Sequence, residues 1–267
     1  MKLIYPQGAT PINDISGLKL TWVRTQSDLN KVEAENIASA VGKYLTRPIR
    51  APQDWFNLFF LQEVHLAMFG EVWDWAGSFR TRQLSIGVPY YQIRNELAQF
   101  CDDVQFWCDK GCELTFLEQA AKIHHRLVFI HPFLNGNGRF SRLVADRYLK
   151  FWDLPFPRWP VDIGNDGQKR RWYIESLKEA DRGDYEPLIE FMIDCGSYDP
   201  VLGVLLGNSF YRKHFKGQRL ILLVKAYLRR GCDVNEEADD GHRPLDIALK
   251  HGLLDVSRLL LEYGAVM

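Results

Sequence analysis

The 267-residue chain contains no apolar run near the ~20 residues that a bilayer-crossing helix needs. Its opening, MKLIYPQGATPIND, meets Pro6 and Gly8 before the apolar core of a secretion signal could form, so no leader is expected. It has no block of like charge. With 33 Lys and Arg against 34 Asp and Glu, the formal net charge is −1, and nothing favours nucleic acid or an anionic membrane as a partner. Cysteine is sparse and odd in number: Cys101, Cys108, Cys112, Cys195 and Cys232 match neither paired zinc knuckles nor a disulfide framework, which points to a reducing, cytoplasmic setting. Cys108 and Cys112 stand four apart, but two thiols do not close a tetrahedral zinc site. The phosphate-binding pattern G-x-x-x-x-G-K-[ST] and the zinc pattern H-E-x-x-H are both missing. What remains is an ordinary globular composition, 46% hydrophobic and 25% charged.

Most of the chain carries helical spacing. SDLNKVEAENIASAVGKYL has Ser27 or Asp28 as its expected cap and Leu29, Val32, Ile37, Val41 and Leu45 as its apolar face. DWFNLFFLQEVHLAMFG predicts a helix capped by Asp54 and stopped by Gly70. A further helix is expected from Tyr91 or Gln92 to about Lys110, and another after Thr115, which stands in capping-box register with Glu118. Between these, WAGSFRTRQLSIGVPYY alternates around Gly77, Gly87 and Pro89, the pattern of a β-hairpin or extended flap. After a helix to about Phe151 comes the proline-rich LPFPRWP, then two helices with a break at Gly183. The last stretch, DGHRPLDIALKHGLLDVSRLLLEYGA, is similar to an ankyrin repeat, with Asp246 where many ankyrins have histidine, and LVKAYLRRGCDVN shares its rhythm. Two such units are fewer than the three that usually bury one another's faces, so support from the preceding helices is expected.

HPFLNGNGRFSR, from His131 to Arg142, concentrates the chemistry. Pro132 disfavours the α conformation at His131, which ends the preceding helix there. Gly136 and Gly138 allow backbone N–H groups to converge into an anion-binding nest. The next helix begins near Gly138 or Arg139 and adds its own N–H groups and positive dipole end. Arg139 and Arg142 are three apart and share a face of its first turns. The surface suits a di- or triphosphate beside an imidazole able to take a proton near neutral pH. The same letters would also serve a plain helix–turn–helix, and His124, His125 and His131 raise a metal cluster. Adjacent histidines, however, point to different helical faces.

The stretch resembles the signature of the Fic/Doc (Fido) family, H-P-F-x-[DE]-G-N-G-R-x-x-R. FGEVWDWAGSFRTRQLSIGVPYYQI resembles that family's flap, and YIESLKEADRGDYEPLIEFM its closing helices. GATPINDISGL and HHRLVFIHPFLNGNGRFSRLVAD are similar to the subgroup called mobile mystery protein B, and the likeness runs from about Ala9 to Asp194. It implies an all-α fold: a Fic-type helical core with a short β-hairpin flap, followed by ankyrin-like helical pairs. The expected divisions are an N-terminal arm and helix at 1–52, the Fic domain at 53–196 and the ankyrin-like repeats at 197–267.

Transfer of AMP from ATP to a Tyr, Thr or Ser hydroxyl of a target protein is the activity that the resemblance implies, with Mg²⁺ or Mn²⁺ assisting. In that scheme His131 is the general base and Phe133 anchors the loop. Gly136, Asn137 and Gly138 make the hole for the α- and β-phosphates, and Arg139 and Arg142 hold the β- and γ-phosphates. Tyr173 is assigned to the adenine pocket, or else to core packing. The flap residues Arg82, Gln83, Leu84, Ser85, Ile86 and Gly87 would grip the target backbone by strand addition. A regulatory or antitoxin partner, and a protein docked on the ankyrin-like tail, complete the expected partners.

Two departures qualify this. Asn135 stands where most of the family has a metal-binding Asp or Glu, and an amide oxygen brings no charge. At an effective dielectric of 20, unit charges 4 Å apart interact by roughly 4 kcal/mol, so weaker metal dependence or slower transfer is expected. A decayed site serving as a nucleotide-sensing scaffold is the alternative. The restraining motif [ST]-x-x-x-E-[GN] is met only by KVEAEN, in which Glu35 and Asn36 fit but Lys31 replaces Ser or Thr. Glu35, or Glu33, is the candidate to pair with Arg142; a solvated helix face is the plainer reading. Gly138 is retained where Doc-type kinases tend to carry a larger residue, which favours nucleotidyl transfer over phosphorylation.

Overall fold

Three helix starts in this chain, at Thr25, Asn57 and Thr115, are set by side-chain oxygens that satisfy the orphan N–H groups of the first turn. The computed structural model describes residues 17–46, 50–110, 114–152, 168–194, 202–207, 217–229, 232–238 and 241–266, with Pro157, Trp159 and Arg212. Most of the GATPINDISGL and LPFPRWP segments, and Cys112 and Cys195, lie outside these residues. Helix α1 spans Gln26–Thr46. It opens two residues earlier than expected, because the Thr25 hydroxyl accepts from the Asp28 N–H at 3.1 Å while the Asp28 carboxylate accepts from the Thr25 N–H at 2.9 Å. Its buried stripe is Leu29, Val32, Glu33, Ala40 and Tyr44. Val41, expected on that face, falls one position off the stripe and is exposed.

Asp54 does not cap the next helix. A short α2, Pro52–Trp55, comes first, and Asn57 then turns extended and accepts from the Phe60 N–H at 2.9 Å to start α3, Leu58–Phe69. Helix α4, Ile93–Lys110, follows a 3-10 turn at Tyr90–Gln92. Helix α5, Phe116–Ile130, begins at the expected Thr115–Glu118 capping box. Helix α6 is Asn137–Phe151 and α7 is Gln168–Asp181.

No β-strand forms among the described residues, so the expected hairpin is a correction. The physical reason lies in where the flap's N–H groups go. Arg80 N–H donates to the Pro132 carbonyl at 2.9 Å and Val88 N–H to the Ile130 carbonyl at 3.4 Å. These two backbone N–H groups therefore bond to the end of α5 and the residue pair that follows it, and not across the flap.

The chain divides into two compact units, Met1–Leu154 with Val161–Tyr185, and Pro155–Pro160 with Glu186–Met267. In the first, α5 and α6 pack along one another and the glycine turn joins them, while α1 and α3 pack together and each also meets α6. Trp73, Phe56, Phe69, Phe133, Phe140 and Tyr148 are fully buried here. Arg147 of α6 lies over the rings of Trp55, Phe60 and Tyr44, 4.8 to 5.6 Å from their centroids, and donates to the Tyr44 carbonyl at 2.9 Å. This fixes α6 against α1 through cation–π attraction.

The second unit holds α8, Glu186–Asp194, ahead of the boundary expected at 196, then α9, Leu202–Gly207, and α10, Gln218–Arg229. Its last pair is α11, Pro244–Lys250, and α12, Leu254–Glu262. Both end alike. Gly252 and Gly264 are left-handed, at φ 65° and 88°, and the following residues donate back to Ala248 and Leu260. Asp246 accepts from the Arg243 N–H at 3.2 Å, which gives its carboxylate a helix-start role. No helix among the described residues is long and apolar enough to cross a membrane.

Replacing Asn57 with Ala should lower unfolding free energy by about 1 kcal/mol. Urea denaturation read by circular dichroism checks this, and an unchanged midpoint would deny Asn57 the cap.

Candidate active site

Helix α5 ends because the residue before Pro132 cannot stay α-helical. His131 instead adopts the left-handed region, φ 53° and ψ 59°, where non-glycine residues are uncommon. Three main-chain hydrogen bonds hold it there. Its N–H donates to Leu127 at 3.2 Å, its carbonyl accepts from Arg80 Nε at 2.7 Å, and the next carbonyl, Pro132, accepts from the Arg80 N–H at 2.9 Å. The ring is 6% exposed, and Nδ1 lies 3.3 Å from the Val128 carbonyl. A carbonyl only accepts, so Nδ1 carries the hydrogen and the lone pair falls on Nε2. Burial pushes the His131 pKa down to about 4; the Val128 hydrogen bond opposes this and the Arg80 cation adds to it. The imidazole is therefore neutral at pH 7.

Arg80 had no signal in the sequence, since an arginine in a polar loop is normally a surface residue. It is 3% exposed. Besides Nε on His131, its Nη1 donates to the Arg82 carbonyl at 3.1 Å and Nη2 to the Val88 carbonyl. One side chain thus ties both arms of the flap to the main chain of the histidine. Along the flap, Arg82, Gln83, Ser85, Ile86 and Gly87 are exposed and Leu84 is half-buried. Gly87, at φ 91°, lies against the histidine: a Cβ there would stand 2.5 Å from His131 Cβ.

Phe133 anchors the turn in the core, stacked on His65 with ring centroids 3.7 Å apart. His65 Nδ1 accepts from the Gly77 N–H at 3.0 Å, so Nε2 carries the hydrogen and donates to the Asn135 carbonyl at 3.0 Å. Burial pushes its pKa down to about 3. Asn137 clasps Phe133 with both ends of its amide, accepting from its N–H at 2.9 Å and donating to its carbonyl at 2.8 Å. Its side chain is spent on shaping the turn, which leaves its backbone as the part able to meet a phosphate. Gly136 is left-handed, φ 78°, and a Cβ there would meet the Phe69 ring at 2.5 Å. Any other side chain would be excluded twice over. At Gly138 a Cβ would have Arg142 Nη1 and the Tyr173 hydroxyl each at 3.9 Å, ordinary contact distance.

The two motif arginines part. Arg139 Nη1 donates to Glu33 Oε2 at 2.7 Å and lies 4.8 Å over the Phe69 ring. Arg142 lies 6.0 Å over the ring of Tyr173. Glu33 is 7% exposed, and its other oxygen accepts from the Trp73 indole at 2.7 Å. Glu35 is exposed on α1, so the carboxylate that reaches the motif is Glu33, and its partner is Arg139 where Arg142 was expected. The helical period decides this: residue 33 faces the core with Leu29 and Ala40, and residue 35 faces away. Tyr173 is 4% exposed, with its hydroxyl 3.0 Å from His124 Nε2, the placement of a packed aromatic beneath the arginine and not of an open base-stacking ring. His125 turns the other way, to Asp181 at 2.9 Å and Tyr185 at 3.1 Å.

Asn135 Oδ1 accepts from its neighbour's N–H, that of Gly136, at 2.5 Å. Among the described residues no group of three or more His, Cys, Asp or Glu could hold a metal ion. A divalent ion here would draw on one neutral amide oxygen and otherwise on a nucleotide's phosphates and water. That donor set suits Mg²⁺ held by its substrate and not an all-protein cage.

The fold thus brings together a buried neutral histidine, a glycine turn, two arginines and an attached flap. Residues 55–149 match the Fic/DOC family. Similar curated proteins include the Protein adenylyltransferase Fic of Aedes aegypti, 31% identical over 159 residues, which covers 58% of this chain and 31% of that one. That of Drosophila grimshawi is 34% identical over 136 residues, covering 50% and 27%. The chain thus spans under a third of the length of these relatives. Among solved structures, Fic-1 of C. elegans (residues 134–508) aligns with TM-score 0.50 and 25% identity over 64% of this chain and 49% of that one. The BepC protein of Bartonella tribocorum, solved with bound AMPPNP, aligns with TM-score 0.51 and 18% identity over 72% and 97%.

His65 and His131 are held below their ordinary pKa, so the unfolded chain binds more protons than the folded one as pH falls below 6.5. Their contribution is complete above that value and is lost progressively toward pH 4. The urea midpoint should fall between pH 6.5 and 5, before most carboxylates titrate; a flat midpoint across that window would contradict neutral, buried imidazoles.

Proposed function

We propose that the chain is a protein adenylyltransferase that moves AMP from ATP to a Tyr, Thr or Ser hydroxyl of a target protein. The observation that carries this reading is the His131 ring, whose Nδ1 hydrogen faces the Val128 carbonyl and so leaves the lone pair to Nε2, with Gly87 of the flap against its Cβ. The similarity to curated proteins of that name supports it. In the reaction the target's hydroxyl gives its proton to Nε2 as its oxygen attacks the α-phosphorus. The new P–O bond forms as the bond from the α-phosphorus to the bridging oxygen breaks, and pyrophosphate leaves. Backbone N–H groups of Gly136, Asn137 and Gly138, the α6 N-terminus, Arg139 and Arg142 stabilise the charge on the phosphates. The open space at Gly138, before Arg142 and Tyr173, supports nucleotidyl transfer over phosphorylation. Mg²⁺ or Mn²⁺ would be held with Asn135 as one ligand and would neutralise phosphate charge.

Two groups of the cradle are engaged by the protein itself: Arg139 by Glu33 and the Gly136 N–H by Asn135. Nucleotide entry must exchange both contacts. Glu33, in place of Glu35, is thereby the proposed restraint. A regulatory or antitoxin partner acting on α1 would release it. The α11–α12 pair, with its two glycine-ended helices, supports the ankyrin-like reading of the tail and a protein partner there. Likeness to the mobile mystery protein B subgroup and a cytoplasmic location belong to the same proposal. The exposed flap residues Arg82 to Gly87 would hold the target backbone in extended form.

Asn135 also favours a second reading, a scaffold that binds nucleotide without turnover. ATP carrying a label on the α-phosphate, incubated with the chain and a lysate, separates the two. Wild type should label itself or a target and His131→Ala should not, and equal labelling by both would reject the base. Tight nucleotide binding by calorimetry with no transfer over hours would select the scaffold. Glu33→Gln keeps an acceptor for Trp73 but removes the charge on Arg139, and should raise labelling several-fold; a fall would deny restraint.

A further inference from the structure

A cavity of about 360 Å³ opens beside the flap, lined by residues that include Phe79, Arg80, Thr81, Tyr90, Tyr91 and Arg94. Its charge is one-sided. From Ser78 to Asn95 the chain carries Arg80, Arg82 and Arg94 and no carboxylate. Arg80 is buried, and its three bonds all go to backbone carbonyls. Arg94 is exposed and lies 5.3 Å over the Phe79 ring. Neither forms an ion pair among the described residues. A buried cation without a counter-charge is costly, and a cavity beside it is where an anion would be stabilised. The aromatic walls lower the local dielectric and strengthen that attraction.

The cavity shares Arg80 and Thr81 with the arm that leads into the flap, and the same Arg80 guanidinium touches the carbonyl of His131. An extended segment laid along the flap with its hydroxyl at His131 would bring a side chain to the cavity from about two to four residues away, at ~3.4 Å per residue. We propose that this cavity is a specificity pocket for an Asp or Glu side chain of the target, close in sequence to the hydroxyl that is modified, with Arg94 as its principal accessible cation and Tyr90 and Tyr91 as its walls. This rests on the transferase reading for its purpose, but binding can be read without transfer.

Fluorescein-labelled short peptides, each with one central threonine and differing only in Asp, Asn or Lys two to four positions away, serve as probes. Anisotropy with the full chain, without ATP, reads docking; labelled ATP added afterwards reads transfer. The Asp peptides should bind about tenfold more tightly than the Lys peptides, an advantage that shrinks in high salt. Arg94→Gln should abolish the preference and Arg94→Glu should reverse it, with the circular dichroism spectrum unchanged because Arg94 is exposed. Equal binding of all three peptides, or a preference that survives Arg94→Glu, overturns the pocket even if transfer is observed. Charge-selective binding without transfer upholds the pocket and overturns the transferase. Neither binding nor transfer overturns both.

Discussion

The buried guanidinium of Arg80 is the interaction on which the site's geometry turns. It meets no carboxylate among the described residues; its positive charge is spread over the carbonyls of His131, Arg82 and Val88. Each of these belongs to a different part of the machinery: the histidine, the outgoing arm of the flap and the returning arm. A cation with several fixed donors can hold three loop segments in one arrangement, which a hydrophobic contact of the same size could not orient. The left-handed backbone at His131 costs on the order of 1–3 kcal/mol and persists because such contacts over-determine it. The flap then needs no strand pairing of its own. Its rigidity at the base comes from the same bonds that position the imidazole, so flap and imidazole share one support.

His65 plays the matching part on the other side of the turn. Its two ring nitrogens face one donor and one acceptor, Gly77 N–H and the Asn135 carbonyl, which fixes its tautomer and keeps it neutral. Stacked on Phe133, it seats the glycine turn on α3. Around this frame two polar groups of the turn and of α6 are paired internally. Glu33 holds Arg139 and Asn135 covers the Gly136 N–H. Both contacts are local and polar. A triphosphate would compete for them with several charges at once, where a carboxylate and an amide offer one and none.

Much of the architecture was legible in the residues because it depends on neighbours in sequence. The Thr115–Glu118 capping box, the break at Gly183 and the end of α5 before Pro132 are contests between adjacent groups, and each came out as the spacing predicts. Phe133, the anchor that the family resemblance implied, is fully buried. Local contests with two good contenders were less secure: Thr25 won over Ser27 and Asp28, and Asn57 won over Asp54, in each case because the winner's oxygen met an N–H of the first turn.

The sequence by itself determined the turn between α5 and α6, its glycines and the helices on either side, because torsional limits at proline and glycine act within a few residues. Only the tertiary structure decided what those groups meet. It set Glu33 and not Glu35 on a motif arginine and turned Asn135 onto its own neighbour. It sank Tyr173 beneath Arg142 and sent the N–H groups of Arg80 and Val88 to Pro132 and to Ile130 at the end of α5 in place of a hairpin. Arg80 is the clearest case. Nothing near it in the chain distinguishes it from a solvated arginine, and its burial follows from carbonyls up to 51 positions away that converge only when the helices have packed.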